Sequence, residues 1–469
     1  MTDSRLATWD ANSCSRVHEA TLAVLADPGV DVHHEGAREL LAGAGAQVDG
    51  LRVRIGAELV ARALAAAPRR FALKSRGGHA PLTIEDGNVY FGTGGDCLYT
   101  RDLDTGQRRR ARLGDVASLA ALSERLPNID FVMSMALPED VAETAIDVTV
   151  VAEMLRATRK PLMVCATCGP ETLAELRRMA ALCGEPDSLI IYAMPSPPLA
   201  VSEGAAGRII ACAELDLPMV YASSCAPGLS APCSRSGMVV AANADVLAGL
   251  VIHQLARPGA PFVFGGQHTG VSMRTSAMTY CAPETMALQQ AHTELARHYG
   301  LPTFTFGGCS DAKALDGQWA AEAAVTLALA ALTGSTLVHD VGYFEASFQG
   351  SHESIVFADE LAGYARAYLA GVSLDDLDVA VEEIRAVGPG GDHLRRAFTR
   401  ARHHELWQAS VLDQWMHDHW EADGERSLLD RLNLKARDVV SRPPAFRLAP
   451  EVLAELEDGL RHRGAGQPV

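Results

Sequence analysis

The chain has 469 residues, 48% of them hydrophobic and 6% aromatic, which is long enough for a barrel of roughly 250 residues with extensions. A formal net charge of −17 argues against nucleic acid as the main partner, because phosphates require a basic surface. No apolar run approaches the ~20 residues of a membrane span, and residues 1–5 lack the apolar core of a signal peptide. The ten cysteines are scattered along the chain, unlike a small secreted framework. We therefore expect a cytoplasmic protein with no membrane contact.

Residues 1–80 are predicted to form an N-terminal α/β cap. Helical patterns cover 17–26, 35–44 and 58–67, and each ends at a glycine or proline. An extended segment, 47–55, lies between the second and third helices. Beyond the cap, the turn Asp86-Gly87-Asn88 predicts a hairpin between Ile84 and 89–91.

Strand and helix patterns alternate from residue 89 onward. The predicted strands are 89–93, 130–135, 161–165, 189–193, 218–222, 261–264, 302–306 and 336–339. The predicted helices lie near 116–126, 140–157, 171–183, 203–215, 237–256, 284–299, 316–333 and 354–370. Eight strands, each followed by a helix, within roughly 280 residues favour a closed (β/α)8 barrel, the TIM barrel, over an open doubly wound sheet. This barrel is predicted to span 81–372.

A C-terminal helical extension is predicted for 373–469. A helical pattern covers 375–386, and Gly388-Pro389-Gly390-Gly391 forms a turn. Residues 392–438 carry many charges and three tryptophans, which suggests helices packed against the barrel, and 448–461 is a final amphipathic helix. Because such arms often clasp another subunit, we expect a homo-oligomer.

Catalysis in barrels of this kind takes place at the C-terminal ends of the strands. Two strand ends, 305–313 and 337–345, supply the first candidates: Asp311, Lys313, His339, Asp340, Tyr343 and Glu345. Asp311 and Lys313 could instead form an ion pair that closes the barrel. Since neighbouring residues on a strand face opposite ways, only one of His339 and Asp340 should face the interior.

Glycines and cysteines mark the other strand ends. Gly94-Gly95, followed by Asp96, and Gly307-Gly308 mark two of them. The two glycine pairs could bind phosphate, but neither is followed by the Lys-Ser/Thr of a P-loop. The cysteines at predicted strand ends are Cys97, Cys165, Cys168, Cys225 and Cys309. They could hold zinc, as in zinc-dependent methyltransferases, or act as small apolar fillers. The CxxC at 165–168 has no second CxxC to accompany it, so zinc is possible but not favoured.

Aromatic residues are predicted near the same end of the barrel. They are Tyr192, Tyr221, Phe264, Phe306, Trp319, Tyr343 and Phe344. A cage of such rings can hold a quaternary ammonium group through cation–π attraction, although any one ring could equally belong to the core.

Three segments together resemble the trimethylamine:corrinoid methyltransferase family. They are 307–313 (Gly-Gly-Cys-Ser-Asp-Ala-Lys), 338–343 (Val-His-Asp-Val-Gly-Tyr) and 387–393 (Val-Gly-Pro-Gly-Gly-Asp-His), with support from 29–32 and 261–266. The resemblance implies a TIM barrel whose mouth docks on a corrinoid protein, where cob(I)alamin takes a methyl group from an amine bound in the barrel. The trimethylamine enzymes use pyrrolysine, which this chain lacks, so the resemblance favours a quaternary amine such as glycine betaine.

The residues and the resemblance together give a set of expected sites. The expected catalytic residues are Asp311, His339 and Asp340. The expected substrate-binding residues are Tyr192, Phe264, Gln267, Phe306, Lys313, Tyr343 and Glu345, and the expected cofactor-binding residues are Gly94, Gly95, Gly308 and Ser310. A substrate carboxylate would be bound by His339, His268, Lys313 or Arg274.

Two other functions stay open. One is a zinc-thiolate methyltransferase that delivers the methyl group to a thiol. The other is a betaine-binding sensor that kept the barrel and lost the chemistry.

Overall fold

Parallel strands form the centre of the structure, a computed structural model that describes residues 6–167 and 169–462. The barrel strands are β1 (Tyr90–Thr93), β2 (Phe131 and Val132), β3 (Leu162–Cys165), β4 (Leu189–Ala193), β5 (Met219–Ser223), β6 (Phe262–Gly266), β7 (Thr303–Phe306) and β8 (Leu337–Val341). From β3 to β8 each strand pairs in parallel with the next along the chain, and β8 pairs with β1. This is the order of a barrel and not of a doubly wound sheet.

The ring is closed by β2, which is much shorter than the predicted strand 130–135. Phe131 forms a parallel bridge to Gly92 of β1, and Val132 forms one to Leu162 of β3. Beyond Val132 a side chain replaces the backbone hydrogen bonds between the strands. The Thr93 hydroxyl accepts from the Met133 N–H at 2.8 Å and donates to the Met133 carbonyl at 3.1 Å. The predicted (β/α)8 barrel is confirmed.

The helices around the barrel follow the strands in turn. They are Leu113–Arg125, Ile146–Ala157, Pro170–Leu182, Glu203–Glu214, Arg235–Ala256, Pro283–Tyr299, Gly317–Thr333 and His352–Leu369. One of them, Arg235–Ala256, is long and apolar enough to cross a membrane, but its most apolar window is 83% buried inside the protein. That burial is typical of a core helix, and it arises because the cap packs on this helix.

The barrel interior is a separate apolar cluster built from alternate residues of the strands. It contains Phe131, Met133, Met163, Ile190, Tyr192, Val220, Ala222, Val263, Phe304 and Leu337. Leu73, Leu82 and Ile84 belong to the same cluster. They come from a hairpin, Arg70–Leu73 and Leu82–Glu85, which closes the N-terminal end of the barrel. The predicted hairpin of Ile84 with 89–91 is therefore wrong, because Leu82–Glu85 pairs with the strand before it.

The rest of the N-terminal cap is an α/β layer. Its helices are Ala11–Ala26, Glu35–Gly43 and Ala57–Ala66, and its strands are Val30–Val32, Gln47–Asp49 and Arg52–Arg54. Val30–Val32 also pairs in parallel with Ala200–Val201, a short strand in the loop after β4. The cap is thereby joined to the start of helix Glu203–Glu214.

The C-terminal part contains the helices Leu377–Val387, Ala397–Arg402, His417–Ala422, Leu428–Ser441 and Pro450–His462. Leu428–Ser441 packs on His352–Leu369. In contrast, neither Ala397–Arg402 nor His417–Ala422 buries any of its residues, and Trp415 is 73% exposed. The expectation that the whole of 392–438 packs on the barrel therefore holds for only part of it. The homo-oligomer and the domain limits at 80 and 372 stay predictions.

Candidate active site

A cavity of about 330 Å³ opens at the C-terminal ends of the barrel strands. Its wall combines residues of β3, β4 and β8 with residues that follow β1, β2, β3, β4, β6 and β8. Three kinds of group meet there: tyrosine rings, carboxylates and one guanidinium. A volume of this size matches a small organic ligand.

His339 and Asp340 both line this cavity, although the alternation of the strand predicted only one. The backbone of Asp340 has a φ of 62°, and the register of β8 against β1 shifts between Val338 and Val341. This irregularity turns two consecutive side chains to the same side. The His339 Nδ1 lies 2.7 Å from the Asp340 Oδ1, but the two atoms are not aligned for a hydrogen bond. The imidazole stacks on Phe304 with ring centroids 4.1 Å apart.

Three buried tyrosines, Tyr192, Tyr280 and Tyr343, form the aromatic part of the wall. The Tyr192 hydroxyl donates to the Gln267 side-chain oxygen, and the Gln267 amide donates to the Tyr280 hydroxyl at 3.4 Å. The Tyr343 hydroxyl donates to the Gly95 carbonyl. Burial raises the pKa of all three phenols, so they stay neutral near pH 7. The hydrogen bonds fix the orientation of the three rings in the cavity wall.

Asp96 supplies a second carboxylate that sequence reasoning did not single out. It follows Gly95 with a φ of 66°, its N–H donates to the Ser134 hydroxyl, and that hydroxyl donates to the Asp96 carboxylate, both at 2.9 Å. Burial raises the pKa of Asp96 to about 6, although the bond from Ser134 opposes the shift. The only available signal was its position directly after a strand-end glycine pair.

Arg208 is the guanidinium in the cavity wall. It lies on helix Glu203–Glu214, whose N-cap Ser202 hydroxyl accepts from the Ala205 N–H at 3.4 Å. Among the residues that the structure describes, no partner accepts a hydrogen bond from its buried Nε. Sequence reasoning missed Arg208 because it sits inside a helix, some distance beyond the strand end.

Several predicted residues lie outside the cavity wall. The Asp311 carboxylate accepts from the N–H groups of Tyr280 and Cys281 at 2.8 and 3.1 Å. The exposed Lys313 donates to the backbone carbonyl of Asp311 at 2.7 Å. Glu345 forms an ion pair with Arg108, with 2.7 Å between Oε2 and Nε. These residues hold the loops around the cavity.

Two predicted aromatic residues stand behind the wall. Phe264 stacks on His292 in the surrounding helix layer, with ring centroids 4.8 Å apart. Phe306 contacts Tyr280, with ring centroids 4.9 Å apart. Phe306 thus supports a ring that faces the cavity.

Of the residues predicted to bind a cofactor, Gly95 lines the cavity. The Tyr343 ring packs against Gly94, so a Cβ at this position would lie 2.1 Å from the ring. Gly308 has a φ of 69° and is packed against Val341. The Ser310 hydroxyl donates to Glu322 at 2.7 Å.

The cysteines of the region do not form a ligand set within the described residues, where no three His, Cys, Asp or Glu side chains are grouped for a metal. Cys165 lines the cavity, and Cys97, Cys225 and Cys309 are buried. Burial raises the pKa of the Cys165 thiol, and the charges of Asp96 and Asp340 raise it further. Cys168, the second member of the predicted CxxC, lies outside the described residues.

Comparison with known proteins identifies the family. The family model described as trimethylamine methyltransferase (MTTB) matches residues 2–468. The chain belongs to this family. It is therefore a methyltransferase, and the resemblance noted from three short segments is confirmed across the chain.

Curated relatives match over nearly the full length of both chains. A glycine betaine methyltransferase of Desulfitobacterium hafniense (strain Y51) is 29% identical over 461 residues, which cover 96% of this chain and 95% of the relative. A trimethylamine methyltransferase MttB of Desulfitobacterium hafniense (strain DSM 10664 / DCB-2) is 25% identical over 459 residues, 96% of this chain and 92% of the relative. The MttB of Methanosarcina barkeri (strain Fusaro / DSM 804) is 28% identical over 471 residues, 96% and 94% respectively.

Among solved structures, the monomethylamine methyltransferase MtmB of Methanosarcina barkeri has the same fold. The match has a TM-score of 0.54 at 11% identity and covers 93% of this chain and 89% of the other. At that identity the likeness concerns the fold alone.

Proposed function

We propose that this protein transfers a methyl group from a quaternary amine of the betaine type to a corrinoid carried by a separate protein. The observation that carries the proposal is the cavity wall, where three tyrosine rings and two carboxylates face one space at the barrel mouth. The glycine betaine methyltransferase among the relatives supports the same reading.

The wall suits a cation that cannot donate a hydrogen bond. A quaternary ammonium group is held by ring faces and by nearby negative charge. Tyr192, Tyr280 and Tyr343 provide the faces, and Asp96 and Asp340 provide the charge. Each cation–π contact contributes about 0.5–1 kcal/mol at an exposed site and about 2 kcal/mol when the site is desolvated, so three rings and two carboxylates would give substantial binding.

The reaction asks little of the protein beyond binding and orientation. The corrinoid would supply a cobalt(I) nucleophile for the methyl carbon, and the substrate nitrogen would keep the electron pair of the broken C–N bond, leaving as a neutral tertiary amine. No proton transfer or covalent activation of the substrate is needed. The contribution of the chain is to hold one methyl group toward the open mouth. His339, fixed by stacking on Phe304, would support that orientation.

The rim of the mouth supports a protein as carrier of the corrinoid. The loops after β5, β6 and β8 expose large apolar side chains there, among them Leu229, Met273, Met278 and Phe348, which are 45–75% exposed. Exposed apolar side chains around a ligand cavity are typical of a protein–protein contact. Phe348 directly follows Ser347, which lines the cavity.

A spectroscopic methyl-transfer assay tests the proposal. The purified protein would be mixed with chemically reduced cob(I)alamin and offered glycine betaine, proline betaine, carnitine, choline and trimethylamine in turn. We expect methylcobalamin to form with at least one betaine and not with trimethylamine. Asp340→Asn should lower that rate at least tenfold, whereas Asp378→Asn on an exposed helix should not change it. Transfer from trimethylamine alone, or from no donor, would contradict the proposal.

A further inference from the structure

We propose that Arg208 binds the carboxylate of the methyl donor and so selects zwitterionic quaternary amines over cationic ones. This inference rests on the proposed function and names the substrate class of the same cavity.

The first observation is that Arg208 carries no counter-charge of its own. Its Nε is buried without a hydrogen-bond partner among the described residues, and no described carboxylate oxygen forms an ion pair with it within 4.0 Å. By contrast, Arg109 is paired with both Asp102 and Asp115. A buried guanidinium donor without a partner costs stability, and a ligand carboxylate would remove that cost.

The second observation concerns the charged side chains in the cavity wall. Asp96, Asp340 and Arg208 all line one cavity, so it holds two negative groups and one positive group. A betaine has the complementary pattern, a fixed cation and a carboxylate within one small molecule. The planar guanidinium can donate two parallel hydrogen bonds to a carboxylate, which fixes its direction as well as its position. The ammonium end would then point to the tyrosines.

The third observation is that most of the residues expected from the sequence to bind a substrate carboxylate do not line the cavity. Lys313 donates to the Asp311 carbonyl, and Arg274 lies exposed on the loop after β6; neither lines the cavity. His268 is fully buried outside the wall, and burial lowers its pKa to about 4, so it is neutral at pH 7. His339 does line the cavity, but its ring is stacked on Phe304 beside Asp340. Among the described residues, Arg208 is the one Lys or Arg in the wall.

The test compares two donors that share the trimethylammonium group. Glycine betaine carries a carboxylate, and choline carries a neutral hydroxymethyl group in its place. Their binding would be measured by titration calorimetry, and methyl transfer to cob(I)alamin would be measured in parallel. The variants are Arg208→Met, which keeps most of the apolar stem of the side chain and removes the charge, and Arg208→Lys, which keeps the charge and removes the planar guanidinium. Arg62→Met on an exposed cap helix is the matched control.

We expect Arg208→Met to weaken glycine betaine binding at least tenfold and to raise KM with a smaller change in kcat, while choline binding changes less than twofold. Arg208→Lys should be intermediate, and Arg62→Met should match the wild type. Equal losses for both donors, or no loss for glycine betaine in either variant, would overturn the assignment. Wild-type protein that binds choline as tightly as glycine betaine would overturn it as well. If the wild type binds glycine betaine selectively but transfers no methyl group, the proposed function fails and the assignment of Arg208 stands.

Discussion

The buried carboxylate of Asp96 lowers the stability of the folded protein above its pKa, and the size of this effect can be measured. Burial raises its pKa from the ordinary 3.8 to about 6. Between these values the folded protein binds more protons at this site than the unfolded chain, so the free energy of unfolding falls as the pH rises. The loss is absent below about pH 4 and complete above about pH 6. At about 1.4 kcal/mol for each pH unit the loss is about 3 kcal/mol, and partial exposure to the cavity reduces it to about 1–3 kcal/mol.

Asp96→Asn removes the charge and keeps the shape. The Asn oxygen can still accept from the Ser134 hydroxyl, which donates to Asp96 at 2.9 Å. We therefore expect the variant to be more stable than the wild type by about 1–3 kcal/mol at pH 8, with no difference near pH 4. Urea unfolding at several pH values measures this. Asp378→Asn, on the exposed helix Leu377–Val387, should show no such dependence.

The same substitution should weaken ligand binding. Above pH 7 we expect Asp96→Asn to bind glycine betaine at least tenfold more weakly, because one of two negative groups is lost. The wild-type affinity should fall as the pH drops below about 6, and the variant should lack this fall. If the difference in free energy of unfolding between Asp96→Asn and the wild type is no larger at pH 8 than at pH 4, the burial argument is refuted. Unchanged affinity would show that Asp96 does not face the cation.

Three further substitutions test the surroundings of the site. Gly94→Ala would place a Cβ 2.1 Å from the Tyr343 ring, so we expect about 1–3 kcal/mol lower stability by urea unfolding and weaker substrate binding. The Lys160 Nζ donates to three backbone carbonyls at 2.5–2.7 Å. Lys160→Met would remove this donor, so we expect the free energy of unfolding to fall by about 2–4 kcal/mol with no change in substrate affinity. Asp311→Ala should raise KM by releasing Tyr280 and speed hydrogen exchange of the Tyr280 and Cys281 amides; unchanged exchange would contradict this role.

The barrel could be predicted from the sequence because each of its strands is a short buried run followed by a helical pattern. Seven of the eight strands lie close to their predicted limits. The predicted β2 is too long because, at Met133, bonds to the Thr93 hydroxyl replace the backbone hydrogen bonds between strands. These two residues are 40 positions apart in the chain, so their contact leaves no local pattern in the sequence. The hairpin prediction failed for a similar reason, since a turn signal does not show which neighbour a strand pairs with.

The candidate site could be predicted only where it follows a strand directly. Tyr192 and His339 line the cavity because they occupy inward positions of β4 and β8. Asp340 joins them through a left-handed backbone conformation that the alternation rule does not anticipate. Tyr280 comes from a loop 14 residues beyond the end of β6, and Arg208 comes from a helix. Only the folded chain brings these two residues to the cavity.

A crystal structure of the protein with glycine betaine would show whether this cavity holds the methyl donor. We expect the trimethylammonium group to lie within about 6 Å of the ring centroids of Tyr192, Tyr280 and Tyr343, with the carboxylate of the ligand on Arg208. A ligand bound elsewhere, or a cavity that stays empty at a concentration that saturates binding in solution, would contradict this expectation.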